Sequence, residues 1–233
     1  MSKKYIPWIC AAGLAVFAAA AQVESVYVLA LYERPVPWFR DLMEQSLYEG
    51  GLPGGSDIGV TAAILCFVEW VARLRGKKPF TRLTLAQLKF VWLSGLLTAL
   101  VAVHSLKWII SRARPKMILT PDFLAQEGSA RLVEAMTWPG FMPWNGPRGY
   151  SFNSFPSGHV ASCAILLVFA YLLGQRGRWL GVSCFLVVTL YSVMMVVARS
   201  MAGMHWLSDG VASYFICWTI VHVMSRKSLR DRS

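Results

Sequence analysis

WLGVSCFLVVTLYSVMMVVA, residues 179–198, runs for twenty residues without a charge between Arg178 and Arg199. A helix rises about 1.5 Å per residue, so such a run reaches the ~30 Å of a bilayer's hydrocarbon core. Five more apolar stretches approach that length, roughly 6–30, 58–74, 85–110, 158–174 and 205–224. Of 233 residues, 56% are hydrophobic and only 15% charged, where a soluble domain carries roughly a quarter charged residues. With no strand alternation or repeat, the expected fold is all-α: a six-transmembrane helical bundle forming one integral-membrane domain over 1–233.

The net charge of +11 invites a nucleic-acid partner, but its distribution argues against one. Lys3 and Lys4 precede the first span, and Arg73, Arg75, Lys77, Lys78, Arg82 and Lys89 lie between the second and third or open the third. Arg176 and Arg178 separate the fourth and fifth, and Arg226, Lys227, Arg230 and Arg232 form the tail. All fall on one side of a six-span arrangement. The first loop on the other side holds Glu33, Asp41, Glu44, Glu49 and Asp57 against Arg34 and Arg40. The positive-inside rule then makes both termini cytoplasmic. A competing reading of the N-terminus is a signal peptide, with Lys3 and Lys4, an apolar core and Ala18 to Ala21 as the cleavage region. Apolar character resumes with Val26 to Leu31, which lengthens the segment to a full, uncleaved span.

Cys10, Cys66, Cys163, Cys184 and Cys217 each sit alone within an apolar span, as small packing residues do. No cysteine–histidine spacing suggests zinc. About 45 residues separate the third and fourth spans, far more than an ordinary connection. That long outer loop interleaves Pro139, Pro143 and Pro147 with Trp138, Phe141, Trp144, Tyr150 and Phe152, rings suited to a bilayer interface. After the first span, Trp38, Phe39, Leu42, Met43 and Leu47 recur at helical spacing, predicting a short interfacial helix. Membrane anchoring and substrate recognition both fit these stripes.

Three polar clusters interrupt the apolar chain on the outer side: KWIISRARP (107–115), PSGH (156–159) and RSMAGMHWLSD (199–209). Ionisable groups at membrane depth are functional candidates by default. Lys107 and Arg114 are seven residues apart, so a continuing helix would set both on one face, with Pro115 ending it. Arg112 and Lys116 read as solvated neighbours. Ser157 is a natural N-cap, and Gly158 admits close approach to a helix start whose N–H groups bind anions. His159 adds a titratable group. His205 and Asp209 lie four apart, neighbours on one face of the last helix. A carboxylate beside an imidazole offsets its own burial and orients a nucleophile or base. Arg199 ends the fifth span across a turn containing Gly203. His104 and His222 read as packed helix residues. Glu24 and Glu69 lack evident partners, apart from the cationic border beside Glu69. Arg131 and Arg148 read as solvated loop residues.

Taken together, the clusters resemble the motifs of the type 2 phosphatidic acid phosphatase family, integral-membrane lipid phosphatases related in fold to vanadium-dependent haloperoxidases. The family pattern K-x6-R-P is met by Lys107 and Arg114-Pro115, and P-S-G-H by residues 156–159. S-R-x5-H-x3-D is met by Arg199, His205 and Asp209, with Ala198 where serine is usual. The resemblance implies that His205 attacks phosphorus to form a phosphohistidine while Asp209 holds its other nitrogen protonated. His159 would protonate the leaving oxygen and then activate water. Lys107, Arg114, Arg199, Ser157 and the Gly158 N–H would neutralise the phosphoryl oxygens. No cofactor or metal is implied: fixed cations take the metal's role, and no carboxylate cluster is evident to hold magnesium.

The expected substrate is a lipid phosphate whose tail stays in the bilayer: phosphatidate, phosphatidylglycerophosphate, a polyprenyl diphosphate or the phosphate of lipid A. The expected location is a bacterial inner membrane with the site facing the periplasm, and no nucleic-acid partner. Two rivals remain open. One is a phosphotransferase passing the phosphoryl group to another lipid; the other is a non-enzymatic lipid-binding or flipping protein. Oligomeric state is not encoded in any motif.

Overall fold

The computed structural model describes residues 5–48, 58–118 and 152–229, and these form an all-helical assembly without strands. Helix α1 spans Tyr5–Glu33, and α2, Pro37–Asp41, runs directly into π-helical turns over Leu42–Tyr48. Helix α3 covers Ile58–Leu74. Helix α4 covers Leu85–Leu97 and continues as π-helical turns (Thr98–Ser105) into α5, Leu106–Ile109. The short α6, Pro115–Ile118, precedes α7 (Gly158–Ile165), α8 (Leu167–Gly174), α9 (Arg178–Met201) and α10 (Leu207–Leu229). Helix α4 starts where it does because Thr84 and Gln87 form a reciprocal cap: Gln87 N–H donates to Thr84 Oγ1 at 3.2 Å and Thr84 N–H to Gln87 Oε1 at 2.9 Å.

Three helical segments, Tyr5–Glu24, Arg178–Met201 and Leu207–Leu229, are long and apolar enough to cross a membrane; Leu85–Leu97 and Gly158–Gly174 are shorter apolar helices. Exposed apolar side chains line α9, including Trp179, Leu186, Val187, Leu190 and Val193, and α1 exposes Trp8, Leu14 and Val26. Surface of that kind is what lipid covers. Helix α10 is the least hydropathic of the three, yet 44% of its apolar window is buried, against 11% in α1 and 17% in α9. Its small and polar residues, Ser208, Asp209, Gly210 and Ser213, all face inward. It packs against α1, α4, α7 and α9 and so forms the axis of the assembly.

Met43 is fully buried and Phe39 packs against the main core, so part of the stripe expected to lie at the interface is core; Trp38 stays exposed. Glu69 pairs with the cationic border beside it, as expected: it takes an ion pair from Arg73 and also accepts the Thr81 N–H at 3.0 Å. The proline and tryptophan set of the long loop (138–150), Arg131, Arg148, Glu49, Asp57, Lys3, Lys4, Arg230 and Arg232 lie outside the described residues, as does the Leu47 side chain.

Candidate active site

The first cluster is not one helical face. Helix α5 ends at Ile109 because Ile110 turns extended (φ −112°, ψ 116°). Pro115 does not end that helix; it opens α6, where its missing N–H does no harm. The extended backbone between them is used: Arg112 N–H donates to the Phe152 carbonyl at 3.0 Å, and Ser154 N–H to the Arg112 carbonyl at 3.1 Å. That pairing fastens the first cluster to the strand-like entry of the second. Lys107 is half-buried within electrostatic range of Arg114, Asp209 and Arg199. Arg114 is buried, with Nη1 3.0 Å from Met204 Sδ.

Ser157 caps α7, accepting the Val160 N–H at 3.5 Å. Among the described residues, a Cβ added at Gly158 would meet only Val103 Cγ1, at 3.6 Å. Arg199, in the last turn of α9, is buried and donates through Nη1 to Glu44 Oε1 at 2.8 Å. The chain then reverses at Gly203, whose φ of +61° is left-handed and whose carbonyl accepts the Lys116 N–H at 2.9 Å. A Cβ there would lie 2.8 Å from both Lys116 Cβ and Tyr32 Cε2. Only glycine fits this turn.

His205 sits in that turn, before α10 begins, rather than on the helix. Its Nδ1–H donates to the Ser154 carbonyl at 2.6 Å, while Asp209 Oδ2 lies 3.8 Å away. A carbonyl can only accept, so Nδ1 carries the proton and a neutral ring keeps its lone pair on Nε2. Asp209 instead organises the surroundings: its carboxylate accepts from Ser154 Oγ at 2.6 Å, Trp206 N–H at 2.9 Å and Arg112 Nη1 at 2.5 Å. Burial pushes the His205 imidazole down to about 4, Asp209 opposing and Arg199 and Lys107 reinforcing. The charges acting on His159 come from Arg199, His205, Lys107 and Arg114. The three clusters therefore share one electrostatic neighbourhood.

Arg112 and Glu24 join this neighbourhood, which their sequence context does not predict. Arg112 is 5% exposed, not solvated. Its Nη2 donates to Glu24 Oε1 at 2.5 Å, its Nη1 also to Ser208 Oγ at 2.7 Å, and its plane lies 5.4 Å from the Trp206 ring. Glu24 Oε2 takes Ser208 N–H at 3.1 Å and Ser208 Oγ at 2.5 Å. An acid from α1 thus reaches the base of the constellation. Lys116 is half-buried beside Gly203.

A profile described as the PAP2 superfamily matches residues 86–232, a span containing all three clusters. The chain belongs to the PAP2 superfamily. No curated protein and no solved structure matches it. PAP2 members are typically phosphatases, and this membership supports a phosphatase acting on phosphate esters. Within the PAP2 region Ala198, at the usual serine position, is fully buried and brings no hydroxyl of its own. Ser200 Oγ instead donates to the His205 carbonyl at 3.3 Å, bracing the turn from the other side.

Proposed function

We propose that this PAP2 protein is a membrane phosphatase that hydrolyses a lipid phosphate through a phosphohistidine on His205. The observation that carries the reading is the 2.6 Å bond from His205 Nδ1–H to the Ser154 carbonyl. It leaves Nε2 with its lone pair in a ring kept neutral by burial, which is what an imidazole nucleophile requires. Nε2 attacks phosphorus; the leaving oxygen takes a proton from His159, which then deprotonates the water that cleaves the P–N bond. Lys107, Arg114 and Arg199 neutralise the charge spread over the equatorial oxygens, together with Ser157 and the Gly158 N–H; such positioning is the main source of rate in phosphoryl transfer. Arg199 supports this assignment because it already holds one oxyanion, Glu44, and its buried Nε has no partner among the described residues. Asp209, through Ser154 and Trp206, positions the histidine turn.

In this reading the chain crosses a bacterial inner membrane six times with both termini cytoplasmic, and the site opens toward the periplasm. The substrate is phosphatidate, phosphatidylglycerophosphate, a polyprenyl diphosphate or a lipid A phosphate. The test is phosphate release by detergent-purified protein from a panel of these lipids. Activity is expected to survive EDTA, to be blocked by vanadate, and to fall at least a thousandfold in His205→Asn. Undiminished release by His205→Asn would overturn the mechanism. Appearance of a phosphorylated lipid acceptor in place of free phosphate would make the enzyme a transferase.

A further inference from the structure

A cavity of about 830 Å³ opens between α8, the start of α9 and the end of α10. His222, which lines it, stands fifteen residues along α10 from Leu207, about 22 Å from the helix start at 1.5 Å per residue. The cavity therefore sits at the far end of the bundle from His205. Its walls are apolar, with Val182, Phe185 and Trp218 among them, and helix crossing shapes it: a Cβ on Gly181 would come within 2.7 Å of Gly174 Cα. That close approach of α8 and α9 is open only to glycine, and it leaves the groove between them and α10.

Two buried side-chain nitrogens at this groove have no partner among the described residues. The Tyr171 hydroxyl accepts from Trp218 Nε1–H at 3.2 Å, and its own proton has no acceptor among the described residues other than His222 Nδ1, 2.9 Å away, to which we assign it. Nδ1 is thereby an acceptor, and the ring proton sits on Nε2. His222 is fully buried and its Nε2 has no partner among the described residues; Arg226 Nη1 is likewise buried without one. Unsatisfied buried donors are uncommon in native proteins and point to a missing acceptor. Arg178 adds an exposed cation at the rim, and the lipid-type surface of Trp179 and Leu180 adjoins it.

We propose that this groove binds an anionic phospholipid, its headgroup phosphate accepting from His222 Nε2–H, Arg226 and Arg178 while an acyl chain lies along Val182, Phe185 and Trp218. The charge is complementary, the wall is apolar, and the end of the bundle carrying Arg176, Arg178, Arg226 and Lys227 is the one the positive-inside rule assigns to the anionic cytoplasmic leaflet. The ligand is held as a phosphodiester, far from the histidine constellation, and is not turned over.

Native mass spectrometry of the full detergent-purified chain with phosphatidylglycerol or phosphatidylcholine tests this without reference to activity. One phosphatidylglycerol is expected to be retained at least tenfold more tightly than phosphatidylcholine. Arg178→Gln/Arg226→Gln should lose that preference tenfold or more, whereas Lys77→Gln/Lys78→Gln, which removes the same charge elsewhere on that side, should keep it. Val182→Trp, filling the groove without altering charge, should also expel the lipid. Equal retention of the two lipids, or equal loss in the Lys77/Lys78 variant, overturns the proposal. Competition by inorganic phosphate at millimolar concentration would show a site for a free oxyanion and overturn it too. Failure of the phosphatase reading would leave all these outcomes unchanged.

Discussion

Neutralising Glu24 should unlock the base of the constellation. In Glu24→Gln the amide keeps the shape but not the charge that faces Arg112 at 2.5 Å. One of its ends becomes a donor pointed at a donor, either Arg112 or Ser208 N–H. Breaking a buried ion pair from one side costs about 3–5 kcal/mol. The lower end applies because Arg112 keeps Asp209 at 2.5 Å and Ser208 Oγ at 2.7 Å. With roughly 2–4 °C of melting temperature per kcal/mol for a chain this size, Tm should drop by about 6–12 °C. Arg112→Gln should cost more, since it strips both acids at once. The double variant should fall short of the sum by more than about 1 kcal/mol, because the two residues share one interaction. Thermal unfolding in a single detergent at one scan rate reads all three, with exposed Glu33→Gln as the unchanged control. A Glu24→Gln protein melting within about 1 °C of the parent, or strict additivity in the double variant, would refute the network's role.

Burial of His205 gives a pH signature. Its pKa is about 4 folded against an unfolded value near 6.5; between these the unfolded chain binds the extra proton, so stability falls as pH drops through that window, by roughly 3 kcal/mol in all. Denaturant titration at pH 7 and pH 4.5 should show this slope in the native protein and a shallower one in His205→Asn. Gly203→Ala must hold a left-handed φ and push into Lys116 and Tyr32; a loss of about 2–4 kcal/mol is expected, measured as a Tm drop. Glu44→Gln removes a carboxylate that competes for Arg199. KM should fall three- to tenfold, about 0.7–1.4 kcal/mol, with kcat little changed; a raised KM would mean that Glu44 instead orients the arginine.

Helix boundaries were legible where apolar length and punctuation coincide. The run 58–74 is reproduced to the residue by α3, and 179–198 lies inside Arg178–Met201. The clusters were legible as motifs because each couples a rare charge to a helix end. What the spacing could not supply was the local geometry. Counting four residues from His205 to Asp209 suggested a shared helical face, but the turn at Gly203 sets the histidine ahead of the helix and hands its Nδ1–H to Ser154. Seven residues from Lys107 to Arg114 suggested a helical ridge, but pairing with Phe152 and Ser154 draws that segment out straight. Arg112 looked solvated because its acids, Glu24 and Asp209, stand 88 and 97 positions away. No window of sequence contains such a contact.

Glu24 belongs to α1, which lies wholly outside the 86–232 stretch that carries the family pattern. Expressed alone, that stretch would retain every motif residue yet bury the Arg112 guanidinium with half its anions gone and expose Trp206, which shares a cluster with Val28 of α1. The stretch that carries the signature therefore leans on a helix beyond its own border, and α1 helps hold the floor beneath the histidine turn.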